Sequence, residues 1–175
     1  PIVGSLDPLD EDKIIEFVKN NGNGDDGEQF IRKAKERDCV NFFKNPLILK
    51  YFLNDQESGW PKTYRDLFDK FSVDLVKENQ DSTHYDKNKN PTSYKKLIET
   101  AGYVFAHILL GGFKGIILKG KSNENFLEKI ELESERYSKK VIDDLLSSKL
   151  FLYSGCVVEP CHRIIAEFLA SKWIA

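Results

Sequence analysis

Two long runs of apolar residues at the helical period constrain this chain more than any other feature. Tyr64, Leu67, Phe68, Phe71, Leu75 and Val76 recur every three or four positions, and Leu97, Ile98, Ala101, Val104, Phe105 and Ile108 do the same between Ser93 and Leu110. That spacing gathers apolar side chains on one face of an α-helix, and a face of that width must be buried against another element. Further helices are expected over Asp10 to Asn21, Glu28 to Arg37 and Leu47 to Leu53, around Phe126, Leu127 and Ile130, over Arg136 to Ser147, and over His162 to Ile174. Asp10 suits the cap of the first, Pro46 the opening position of the third, where its missing N–H costs nothing, and Thr63 with Asp66 makes a capping box. Strand character is confined to Ile116–Leu118 and to a short hairpin, Leu150–Tyr153 and Cys156–Glu159, about Ser154-Gly155. The polar stretch from Glu78 to Thr92 reads as a boundary between two subdomains. The second half, helices followed by a small hairpin and another helix, has the order of a winged helix.

Composition narrows the function classes. A chain of 175 residues with 41% hydrophobic and 12% aromatic residues has enough material for a buried core, which excludes intrinsic disorder. The formal net charge of −2 gives no basic field to attract nucleic acid or an anionic membrane. The longest apolar stretch, Gly102 to Phe113, contains His107 and is too short to span a bilayer. No signal peptide is evident, so a cytoplasmic setting without membrane partners is expected. Three cysteines do not make a disulfide framework. The chain contains no Met, which reads as a piece of a longer protein.

Several motifs look like chemistry. Gly115 to Ser122 fits the phosphate-loop pattern G-x-x-x-x-G-K-[ST] letter for letter, which would make the chain a small kinase or NTPase. Its variable positions are Ile, Ile, Leu and Lys, however, and β-branched residues resist the backbone wrap that loop needs. It reads as a chance resemblance. Gly22, Gly24 and Gly27 spell a dinucleotide fingerprint but follow a helix, and Asp25 and Asp26 would repel a pyrophosphate. Asn21, Asn23 and Asp25 hint at a calcium loop, with Asp26 where glycine is required. Cys156, Cys161 and His162 lack a fourth ligand and the spacing of a zinc module. Cys161 and His162, adjacent in sequence, would point apart as a nucleophile pair. His84 lies in a polar loop and His107 amid apolar helix residues. Lys114, Lys119 and Lys121 form one small basic cluster. No catalytic residue and no metal ligand is assigned.

Four segments together resemble the regulatory half of NACHT-type signalling ATPases of the STAND class, which include animal inflammasome receptors and bacterial antiphage defence proteins. Leu6-Asp-Pro-Leu9, with Asp12 and Ile15, is similar to the element that opens the helical lid. Asn45-Pro46-Leu47-Ile48-Leu49 resembles the lid's proline motif, with Asn45 where many prokaryotic members have Arg. Gly59-Trp60-Pro61 with Tyr64, Asp66 and Leu67 matches a third stretch. Leu150-Phe151, the hairpin and His162-Arg163-Ile-Ile-Ala166-Glu167-Phe168-Leu169-Ala170 resemble the ending of the winged helix, Ser171 standing where the family often has Ala. The resemblance implies a mostly α fold, a helical lid bundle over residues 1–80 followed by a winged-helix-like subdomain with a short β-hairpin over 90–175. It implies nucleotide-binding roles for Pro46, near the adenine, and His162, at the β-phosphate of ADP. The cofactor would be ADP or ATP in the parent protein, with none bound tightly by this stretch alone, which would not itself be an enzyme. Its partners would be a P-loop ATPase core preceding it and a sensor or repeat domain following it, with oligomerisation of the parent on activation. The alternative is a winged-helix module that binds DNA or protein and has no nucleotide role.

Overall fold

The computed structural model describes residues 8–22, 26–54, 59–80, 92–119, 124–134 and 136–175. The fold is mostly α: eight α-helices and one four-stranded mixed sheet are present among the described residues. The chain divides into two compact units, Pro1–Leu67 and Phe68–Ala175.

In the first unit, α1 (Glu11–Asn21) starts where the Asp10 carboxylate accepts the Lys13 N–H at 2.9 Å. Its Ile14 and Val18 are fully buried. Asp26 caps α2 (Gly27–Glu36) in the same manner, and Phe30, Ile31 and Ala34 form the inward face. The short α3 (Val40–Phe43) leads to α4 (Pro46–Asn54), which opens on Pro46 as expected and buries Ile48, Leu49 and Leu53. Phe30, Phe43 and Phe52 close around Trp60 at ring separations of 5.1, 5.8 and 5.0 Å. Phe30 and Phe43 are buried, each contributing about 1.5–3 kcal/mol by leaving water, while Phe52 and Trp60 are half-buried. Thr63 Oγ1 accepts the Asp66 N–H at 3.1 Å, the first half of the expected capping box.

Helix α5 (Tyr64–Gln80) crosses the division between units. The sequence reading places a boundary in the polar stretch after Glu78, whereas compactness divides the chain at Leu67. The reason is chemical: beyond Leu67, α5 belongs to the second unit. Phe68 packs 5.3 Å from Phe168, Asp69 pairs with Lys172 at 2.6 Å, and the Leu75 carbonyl accepts the Lys149 N–H at 3.1 Å.

The rest of that unit runs α6 (Tyr94–Leu110), β1 (Gly115–Ile117), β2 (Phe126–Glu128), a 3-10 turn (Lys129–Leu132), α7 (Lys139–Leu146), β3 (Phe151–Ser154), β4 (Val157–Pro160) and α8 (Arg163–Ile174). The sheet order is β2-β1-β4-β3, with β1 parallel to β2 and antiparallel to β4, and β3 antiparallel to β4. The hairpin β3–β4, the wing, follows α7 and returns through β4 to pair with β1. The hairpin turns at Gly155, whose φ is 62°.

Two helix expectations need correction. Phe126, Leu127 and Ile130 do not share a helix: Phe126 lies opposite Gly115 in a parallel strand pair, and the chain then makes the 3-10 turn. A short apolar run has no periodicity to distinguish the two states, and the neighbouring strand decides. Helix α7 begins at Lys139 instead of Arg136 because Tyr137, 2% exposed, is drawn into the core ahead of it. Helices α6 and α8 pack closely at Gly102, where an added Cβ would lie 2.7 Å from the Leu169 carbonyl oxygen. Among the described residues no helix is long and apolar enough to cross a membrane.

Candidate functional site

Three of the segments that carry the family resemblance meet in the first unit. The Leu9 N–H donates to the Lys44 carbonyl at 2.8 Å, which ties the entering segment to the turn before Pro46. Leu6 and Asp7 lie outside the described residues. Pro46 is half-buried at the first position of α4. Asn45 holds that helix start, its side-chain oxygen accepting the Ile48 N–H at 3.4 Å and its carbonyl the Leu49 N–H at 3.0 Å. Trp60 packs on the Phe43 and Phe52 rings, which flank this turn in sequence, and Arg37 lies 5.7 Å from its ring centre.

The fourth segment builds the start of α8 in the second unit. The Cys161 N–H donates to the Leu150 carbonyl at 2.8 Å, which fastens the end of β4 to the start of the wing. His162 follows as the N-cap of α8, in extended conformation, and its Nδ1 accepts the Ile164 N–H at 3.3 Å. An N–H can donate only to an unprotonated ring nitrogen, so the proton of the neutral imidazole resides on Nε2. Burial acts the same way, pushing the His162 pKa below the ordinary 6.5. The result is a neutral ring with one N–H donor at the positive end of a 12-residue helix. Pro46 and His162 thus fall in separate compact units.

The other sequence candidates find different explanations. In the phosphate-loop match, Gly115 to Ile117 are the strand β1, with Ile116 opposite Leu127 on one side and Val158 on the other. Those residues are extended and paired, not wrapped as a loop. Gly115 is required by the sheet, since an added Cβ would lie 2.4 Å from the Val158 carbonyl oxygen. Gly120, Lys121 and Ser122 lie outside the described residues, as do Asn23, Gly24, Asp25 and His84. Lys114 and Lys119 are exposed. His107 Nδ1 faces the Tyr103 carbonyl at 2.9 Å and its ring packs tilted against Tyr103 with centroids 4.2 Å apart, a packed and satisfied histidine. Of the cysteines, Cys39 is buried and Cys156 is exposed; burial pushes the Cys161 thiol up to about 11. Among the described residues no group of three or more His, Cys, Asp or Glu side chains is placed to hold a metal ion.

One constellation escapes sequence reading altogether. Tyr137, buried between helices, donates its hydroxyl to Glu99 at 3.3 Å and accepts the Trp173 indole N–H at 3.2 Å, while Tyr103 stacks on its ring at 4.3 Å. Arg136 pairs with the same Glu99 carboxylate. The three contributing segments, in α6, ahead of α7 and in α8, are far apart in sequence, and only a buried tyrosine among polar neighbours could have drawn attention to them. Comparison of the chain with protein-family models, with curated proteins and with solved structures gave no match.

Proposed function

We propose that this chain is the regulatory lid and winged-helix portion of a STAND-type signalling ATPase, which holds ADP in a closed state and releases it on activation. The observation that carries the reading is His162. It sits just after the wing, and as a neutral N–H donor at a helix start it suits a terminal phosphate. The family likeness gives His162 a place at the β-phosphate and Pro46 a place near the base of a nucleotide bound by a P-loop core supplied elsewhere in the parent protein. That core supplies the phosphate chemistry; the residues of this chain orient and retain. Nucleotide contacts then bias a two-state switch whose open state transmits a signal to effector domains. A cytoplasmic location and a role in defence against phage follow from the same family likeness.

The test is ADP retention by the parent protein. His162→Ala is expected to co-purify with less ADP and to show raised basal activity, and unchanged ADP content would refute the role. Calorimetric titration of the present chain with ADP, and with ATP plus magnesium, is expected to show no binding. Micromolar binding abolished by Lys121→Ala would overturn the reading in favour of a phosphate loop.

The wing that follows α7 also supports a second reading, a DNA- or protein-binding module. Against DNA, α7 carries Asp143 and Asp144 beside Lys139 and Lys140; Asp143 pairs with Lys129, and Asp144 accepts the Thr92 hydroxyl. Salt-dependent binding to duplex DNA would favour this alternative.

A further inference from the structure

We propose that the open cleft lined by α5, the first turns of α6 and the last turns of α8 binds a small aromatic carboxylate. The cleft has a volume of about 470 Å³, within the roughly 300–1,000 Å³ of small-ligand sites. Val73, Ile98 and Leu169 give it an apolar lining, and Tyr94 and Trp173, each 37% exposed, contribute ring surface. A mostly apolar lining with few polar groups accepts an apolar body and orients it through those groups. The aromatic residues favour a planar body, because ring contacts reward matched flat surfaces. Trp173 is already fixed, its indole N–H donated to Tyr137 and its ring set edge-on 5.6 Å from Tyr103. The binding surface is therefore preorganised on helices and is not assembled at the moment of binding.

Charge selects the ligand's sign. Four charged side chains line the cleft: Asp69, Lys95, Glu99 and Lys172. Asp69 and Lys172 neutralise one another at 2.6 Å, and Glu99 is engaged by Arg136 and by the Tyr137 hydroxyl. Lys95 alone of the four has no ion pair or hydrogen bond among the described residues. Among the described residues the uncompensated charge is positive, so an anionic group beside Lys95 is favoured over a cation. This inference involves neither Pro46 nor His162 and stands apart from the nucleotide reading.

The test uses 1-naphthylacetate as the probe and the indole N–H resonances of the two tryptophans as reporters. Titration is expected to shift the Trp173 signal saturably and to leave that of Trp60 in place. Lys95→Glu is expected to weaken binding about tenfold, and Val73→Phe, which fills part of the cleft without adding an indole, to weaken it at least as much. The neutral analogue 1-naphthaleneethanol is expected to bind several-fold more weakly than the acid. A dispersed Trp173 signal in each probe-free variant shows that the second unit, which carries the cleft, remains folded, and Lys95→Glu, at an exposed position, keeps the test decisive if Val73→Phe misfolds. Absence of a saturable Trp173 shift, or equal affinity for the acid and the alcohol, would overturn the proposal. A Trp173 shift that depends on protein concentration without any probe would overturn it in favour of a second copy of the chain on this face.

Discussion

His162 links local backbone chemistry to a measurable pH response. Its Nδ1 can cap α8 only while unprotonated, and burial holds its pKa below 6.5. The folded chain therefore takes up this proton less readily than the unfolded chain. The associated stability is whole above pH 6.5 and is lost as pH falls through the depressed folded value. Urea unfolding at about pH 7.5 and about pH 5.5 is expected to show a larger loss for the wild type than for His162→Asn, which keeps a capping group but does not titrate in that range. Gly115 gives the second prediction at this scale. Its missing Cβ is what lets β4 approach, so Gly115→Ala is expected to cost about 1–3 kcal/mol in denaturant unfolding, with or without nucleotide present. A phosphate-loop glycine would instead be sensitive to nucleotide. Both residues are visible in the sequence, His162 as part of the family resemblance, but that its ring caps α8 is evident only from the structure. Gly115 stood out through a pattern match, and the strand pairing that explains it involves β4, more than forty residues later in the chain.

At the scale of elements, the apolar period located the long helices because each buries one continuous face, and the polar residues at Asp10 and Ser93 marked where they begin. The period could not locate β2, which owes its state to a parallel neighbour and not to its own three residues. Nor could it reveal how α6, α7 and α8 are fastened together, since the fastening runs through side chains. Tyr137 joins Glu99 on α6 to Trp173 on α8. Tyr137→Phe keeps the ring stack on Tyr103 and removes both hydrogen bonds, so it is expected to cost about 1–3 kcal/mol by thermal or chemical unfolding. A double-mutant cycle with Trp173→Phe is expected to recover a coupling of about 0.5–1.5 kcal/mol, because the same bond is deleted twice. The cleft assigned to an aromatic carboxylate was equally hidden from the sequence. Its lining comes from three helices, and no single helix carries a recognisable part of it.

The whole molecule consists of two units, and each happens to hold one tryptophan, Trp60 in the aromatic cluster of the first and Trp173 at the end of the second. The mostly α fold class was legible from patterning, whereas the division at Leu67 was not, because it depends on which partners the middle of α5 finds. The three thiols carry a practical consequence of the same burial. Cys39 is enclosed and its pKa raised, and Cys161 is held near 11, so neither offers thiolate at neutral pH. Cys156 stands exposed at the turn of the wing, beside Gly155. Alkylation with a maleimide at neutral pH is expected to modify the native protein once, at Cys156, with the other two sites appearing only after denaturation; peptide mass mapping reads the result. The wing thus carries its own attachment point for a fluorophore or spin label, and its movements could be followed spectroscopically without introducing a single substitution.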